Sequence, residues 1–116
     1  MNWTKELRQG NIIVSPGAPV DHENAEDFES RLIPSVEEAS RSGGNLIIDF
    51  RHVDYMTSVG LRVLIVAAKE AEPIAVKILL TGMNKTMREI FHICGFENVF
   101  VIHESLDSAL AATSAN

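Results

Sequence analysis

Cysteine is nearly absent from this sequence: Cys94 is the only one among 116 residues, so no internal disulfide forms and a multi-cysteine metal site is excluded. Such usage fits a reducing compartment. Basic residues are also scarce, 10 against 16 acidic ones for a formal charge of −6, whereas nucleic-acid binding calls for a clustered basic face. A nucleic-acid partner is therefore not expected. No apolar run approaches the roughly 18 residues of a membrane span, and Met1-Asn2-Trp3-Thr4-Lys5-Glu6 lacks the apolar stretch of a signal peptide. The expectation is a cytoplasmic chain without membrane insertion. Neither internal repeats nor a long linker occur, and 46% hydrophobic content suffices for one core, so residues 1–116 are read as a single domain.

What is present alternates in type. Trp3 to Leu7 and Ile12 to Ser15 are short strand candidates around the Gln9-Gly10-Asn11 turn, a hairpin pattern. Beyond Pro16-Gly17-Ala18-Pro19, Asp21 is placed to cap a helix with apolar positions at Ala25, Phe28, Leu32, Val36 and Ala39. Pro34 should kink that helix or end its first half near Ile33, and Gly43-Gly44 closes it. Leu46-Ile47-Ile48-Asp49-Phe50 has the near-continuous apolar character of a strand covered on both faces.

From Ser58 to about Ala71, Leu61, Leu64, Ile65 and Ala68 predict a helical stripe that Pro73 stops. Ala75 to Leu80 reads as another buried strand, and Gly82 turns the chain into a helix carrying Met83, Met87, Ile90, Phe91 and Cys94 and ending at Gly95. On that stripe Cys94 and the methionines are read as packing residues. Val99-Phe100-Val101-Ile102 is a last strand, and Ser105 caps a terminal helix through Leu106, Ala109 and Leu110. The predicted fold is α/β: a mostly parallel central sheet of about five strands, an N-terminal antiparallel hairpin and about four helices.

The chemically informative segment is Asp54-Tyr55-Met56-Thr57-Ser58-Val59-Gly60-Leu61, with two adjacent hydroxyls at an expected helix N-terminus. The ordinary role of such residues is to cap the helix. The same location also suits a phosphate, because the first turn has unpaired N–H groups and the positive end of the helix dipole.

Thr57-Ser58-Val59-Gly60-Leu61-Arg62 resembles the signature turn of STAS-domain anti-sigma factor antagonists, Asp-Ser-Ser-Gly-Leu or Ser-Ser-Ala-Gly-Leu-Arg. Ile47-Ile48-Asp49-Phe50 and Val53-Asp54-Tyr55-Met56 are similar to the family's strand and its approach to the turn. Leu79-Leu80-Thr81-Gly82, the segment from Met87 to Phe96, and Ser105 to Ala112 resemble its C-terminal half.

The resemblance places the family's phosphorylated serine on Ser58. Thr57 stands where relatives often have Asp and becomes a second candidate acceptor. It further implies a partner-binding surface made of Thr57, Ser58, Val59, Gly60 and Arg62, with Gly60 allowing close approach of the partner and Leu61 anchoring the helix in the core. The partners implied are an anti-sigma factor serine kinase, bound by the unphosphorylated form so that a sigma factor is freed, and a metal-dependent serine phosphatase that resets the switch. STAS-like domains also serve as non-phosphorylated scaffold subunits of transporters or signalling assemblies, which is the alternative.

An enzyme is not expected. Ser58 on a strand-to-helix turn resembles a hydrolase nucleophile elbow, but that motif needs glycine two residues before the serine, where Met56 stands. His22, His52, His92 and His103 lie in no spacing that ties a base to Ser58 or forms a metal-ligand pair. A Gly-rich phosphate loop is missing too, so neither cofactor nor metal is expected.

Overall fold

The structure is a computed structural model that describes residues 1–113; the last three residues of the expected domain lie outside the described residues. Side-chain alternation sets its layers. Strands β1 (Trp3–Arg8) and β2 (Asn11–Pro16) form the antiparallel hairpin, and β3 (Leu46–Asp49), β4 (Ile78–Thr81) and β5 (Val101–Ile102) add in parallel, giving the order β1-β2-β3-β4-β5. Each parallel step moves the same way across the sheet, so right-handed crossovers put their helices on one face.

On that face lie α1 (Ala25–Arg41), α2 (Ser58–Ala71) and α3 (Lys85–Ile93). Ile12, Val14, Leu46, Ile48, Ile78 and Leu80 pack beneath them with Phe28, Leu32, Leu64, Met87 and Phe91. The alternate residues Ile13, Ile47 and Leu79 point to the other face, where Ala109 and Leu110 of α4 (Leu106–Thr113) cover them. The central strands are thus apolar on both sides, as their unbroken runs require.

The structure departs from expectation at several boundaries. Asp21 does not cap α1, which begins four residues later; its carboxylate accepts the Glu23 and Asn24 backbone N–H groups and closes the preceding turn. Pro34 neither ends nor divides α1. It lies on the exposed face, and the Ser30 carbonyl that loses its donor belongs to an exposed residue, so water can replace the missing bond.

The buried stripe of α2 is Gly60, Val63, Leu64, Ala67 and Ala71, whereas Leu61, Ile65 and Ala68 are only half-buried. Small residues, too weak in hydrophobicity to dominate a periodic reading, face inward because α2 packs closely. Pro73 lies within a 3₁₀ turn over Glu72–Ile74 that follows α2 and ends with Ala75 at φ 57°, which postpones β4 to Ile78. Val99 and Phe100 are not in β5, since both donate to the Phe96 carbonyl in another 3₁₀ turn. Cys94 is exposed: α3 ends at Ile93, one residue before the stripe would have turned the thiol inward. Ser105 does cap α4, its hydroxyl accepting the Ser108 N–H at 3.1 Å.

Candidate functional site

The segment between β3 and α2 is built from an apolar framework that holds polar residues outward. Phe50 closes β3 by donating its N–H to the Thr81 carbonyl at 2.8 Å, and Val53 and Met56 are buried. Between these anchors the exposed residues are Arg51, His52, Asp54 and Tyr55.

Val20, wholly buried in the loop before α1, forms an isolated parallel bridge with Met56. Its N–H donates to the Tyr55 carbonyl at 3.3 Å, and its carbonyl accepts the Thr57 N–H at 2.9 Å. From the other side the Asn84 amide donates to the Asp54 carbonyl at 3.1 Å, while its Oδ1 caps α3 by accepting the Met87 N–H. The backbone entering α2 is therefore pinned by two separate elements.

Asp49, the acid inside an apolar strand, serves this framework. Its buried carboxylate accepts the Arg51 backbone N–H at 3.1 Å and pairs with the Arg51 Nε at 3.2 Å. Gly82 makes room for it: at φ +70° a Cβ there would lie 2.6 Å from Asp49 Oδ1.

Thr57 occupies the N-cap position of α2 in extended backbone, yet its side chain makes no capping bond; the hydroxyl sits 3.4 Å from the Val20 carbonyl and is half-buried. No acidic side chain lies in the first turn. Leu61 donates the first closing bond to Thr57, so the N–H groups of Ser58, Val59 and Gly60 have no intrahelical acceptor. Ser58 is the first helical residue and is exposed, and its hydroxyl has no hydrogen-bond partner among the described residues. Arg62, exposed one turn on, shares its helix face with Ser58 and Val59.

Gly60 corrects one expectation. A Cβ at this buried residue would meet Met56 Cγ at 2.6 Å and Val20 Cγ1 at 2.8 Å, so the close approach it permits is within the chain rather than to a partner. Leu61, expected in the core, is only half-buried against it.

No histidine hydrogen-bonds Ser58 among the described residues, and no cluster of three potential metal ligands occurs among them. No described helix is long and apolar enough to cross a membrane. Sequence reasoning missed Val20, which acts through its own backbone groups, and Asn84, whose side-chain amide reaches a carbonyl 30 residues earlier in the chain.

The family model for the STAS domain matches residues 2–109. The chain belongs to the STAS domain family. Among its relatives is BtrV of Bordetella bronchiseptica, named a "putative anti-sigma factor antagonist", 30% identical over 112 residues that cover 97% of this chain and 94% of that protein. The fold also matches the crystal structure of a "putative anti-sigma factor antagonist" of Thermotoga maritima, with TM-score 0.86 at 13% identity, covering 96% of this chain and 93% of that one. A match of TM-score 0.81 at 23% identity covers 92% of this chain but only 18% of the murine anion transporter Slc26a9, so this fold also occurs as a segment of a much longer protein.

Proposed function

We propose that this STAS domain is an anti-sigma factor antagonist working in the cytoplasm as a phosphorylation-controlled binding switch, with Ser58 as acceptor. Unphosphorylated, it binds an anti-sigma serine kinase and so frees a sigma factor or equivalent target. The kinase transfers the γ-phosphoryl group of ATP to Ser58 Oγ, leaving ADP and the hydroxyl proton, and the modified chain dissociates. A metal-dependent serine phosphatase hydrolyses the phosphoester and restores the hydroxyl.

One observation carries this reading: Ser58 presents an unengaged, exposed hydroxyl at the uncapped N-terminus of a helix whose backbone is fixed on both sides. A phosphoserine brings roughly −1.5 to −2 charge at neutral pH, and a helix N-terminus accommodates an anion without unfolding. The effect then falls on the docked surface, where repulsion or lost hydration opposes the complex. The names of relatives such as BtrV support the partner class.

The test is intact mass after mixing the chain with ATP and the serine kinase encoded in the same genome. A gain of one phosphate, lost in Ser58→Ala, is the expected result. An unmodified mass in the presence of a kinase active on another substrate would overturn the switch and leave the scaffold role.

A further inference from the structure

We infer that two copies of this chain associate through the outer edge of β1, pairing antiparallel about a two-fold axis at Lys5, so that their sheets join into one. β1 is the outermost strand, six residues long and free of proline. Its hydrogen-bonding direction follows from its neighbour β2. Pro16, opposite Trp3, has no N–H; the Gly17 N–H reaches the Asn2 carbonyl at 2.8 Å; and the Ile12 N–H, opposite Leu7, turns away to the Asn45 carbonyl at 3.0 Å. Asn2, Thr4, Glu6 and Arg8 therefore direct their main-chain groups at β2, while Trp3, Lys5 and Leu7 direct theirs outward. Those outward N–H and C=O groups meet no partner among the described residues.

Symmetry restricts the register. A two-fold axis normal to the sheet keeps each side chain on its own face, so a residue can oppose only one that shares its face. Trp3 packs against Phe28 and Lys5 reaches Glu38 of α1, which puts Trp3, Lys5 and Leu7 on the helix side. Pairing Lys5 with its own copy matches all the outward groups as hydrogen-bonded pairs and sets Leu7 directly across from Trp3 of the second copy. Leu7 is 63% exposed, so this register covers a large apolar side chain that the single chain leaves in water. A slip of two residues keeps the faces but leaves Trp3 or Leu7 opposite a residue outside the strand.

Lysine on an edge strand ordinarily blocks such pairing by its charge. Here both Glu38 carboxylate oxygens hold the Lys5 ammonium, at 2.8 and 2.9 Å, and Glu6 holds Arg8 at 3.0 Å, so each basic group of β1 brings its own counter-ion to the seam. The helices leave room as well. α1 packs chiefly on β2, and across the seam the two β2 strands stand three strand spacings, roughly 14 Å, apart, more than the separation of packed helices. The seam lies on the far side of β2 from β3, whose crossover to β4 carries α2 and Ser58. The pairing therefore stands apart from the function proposed above and leaves the start of α2 open on both copies.

The experiment is sedimentation of the full chain from about 10 μM to about 1 mM, since an edge pairing of this size sits at the weak end of interfaces. The mass should rise toward twice that of the chain. Lys5→Pro removes an outward N–H that β2 does not use, so thermal unfolding should stay near wild type while association weakens about tenfold or more. Cysteine pairing reads the register, in a Cys94→Ser background because Cys94 is exposed. Opposed Lys5→Cys residues stand about 5.5 Å apart at Cα and should form a disulfide-linked dimer on mild oxidation, whereas Leu7→Cys should not. A chain that stays monomeric throughout, or whose association Lys5→Pro leaves unchanged, overturns the inference. If Lys5→Pro unfolds the chain, the cysteine variants decide, and linkage at Leu7→Cys in place of Lys5→Cys overturns the pairing.

Discussion

Thr57 donates its backbone N–H to the Val20 carbonyl at 2.9 Å and holds its hydroxyl 3.4 Å from the same oxygen. The short bond belongs to the backbone, so any residue but proline at 57 keeps it, and the longer one is a weak supplement. Of the two adjacent hydroxyls, one is thus turned toward the chain and half-buried while its neighbour faces solvent. Adjacent residues of similar chemistry acquire different roles from the loop that packs on them.

Thr57→Val tests this division of labour. The substitution retains the shape and the backbone bond, and it removes a hydroxyl worth no more than about 1 kcal/mol. Denaturant unfolding should shift by less than that amount, and kinase treatment should still add one phosphate. In Ser58→Ala, Thr57 should remain unmodified in a peptide-level mass spectrum; phosphate on Thr57 there would show that the loop opens enough to expose it.

At Gly60 opposing effects can be weighed. Alanine at a helical glycine gains up to about 1 kcal/mol in propensity. Its methyl would stand 2.6 Å from Met56 Cγ, which can move, and 2.8 Å from Val20 Cγ1, which belongs to a stiff β-branched side chain in the core. Overpacking of this kind costs about 1–3 kcal/mol. Gly60→Ala should therefore be net destabilising, by up to about 2 kcal/mol in urea unfolding once the full propensity gain is subtracted, and raised stability would mean that α2 is free to shift.

The sheet and its helices were legible because their signals are local. Leu46 to Ile48 is apolar at every position, and Phe28, Leu32, Val36 and Ala39 repeat at helical spacing. Where the reading failed, the deciding contact was long-range or steric. Gly60, Ala67 and Ala71 carry little hydrophobic signal, yet they face inward because α1 and Val20 come close to α2. The exposure of Ser58 followed from its position at a helix start, but the clamp on the segment before it depends on the backbone of Val20 and the side-chain amide of Asn84, both distant in sequence and both bonded to main-chain atoms of that segment. No residue pattern marks such contacts.

The acid limb of stability should involve Asp27. Hydrogen bonds from the Met1 ammonium and then from Arg31 hold its carboxyl below the ordinary value of 3.8, against a smaller opposing effect of desolvation. A carboxyl lowered on folding contributes stability above its unfolded pKa, and the contribution is lost as pH falls through the folded value. Asp27→Asn should thus be less stable than wild type at neutral pH, with the gap closing below about pH 4. A gap independent of pH would show that the carboxylate charge is not what matters.

Replacing Ser58 by Asp should separate folding from binding by moving them in opposite directions. Ser58 opens α2, whose first turn has no acidic side chain and no side-chain cap, so its N–H groups and dipole are uncompensated. A carboxylate there gains about 0.3–1 kcal/mol at low salt, and thermal unfolding should rise by a few degrees, an increment that salt erodes. The same charge sits on the exposed first turn of α2, the surface proposed to meet the kinase, so affinity should fall while Ser58→Ala continues to bind. A Ser58→Asp chain that binds weakly because it is unfolded would show lowered thermal stability instead. Only the pairing of a firmer fold with a weaker complex distinguishes a switch acting at the docking surface from one acting through conformational collapse.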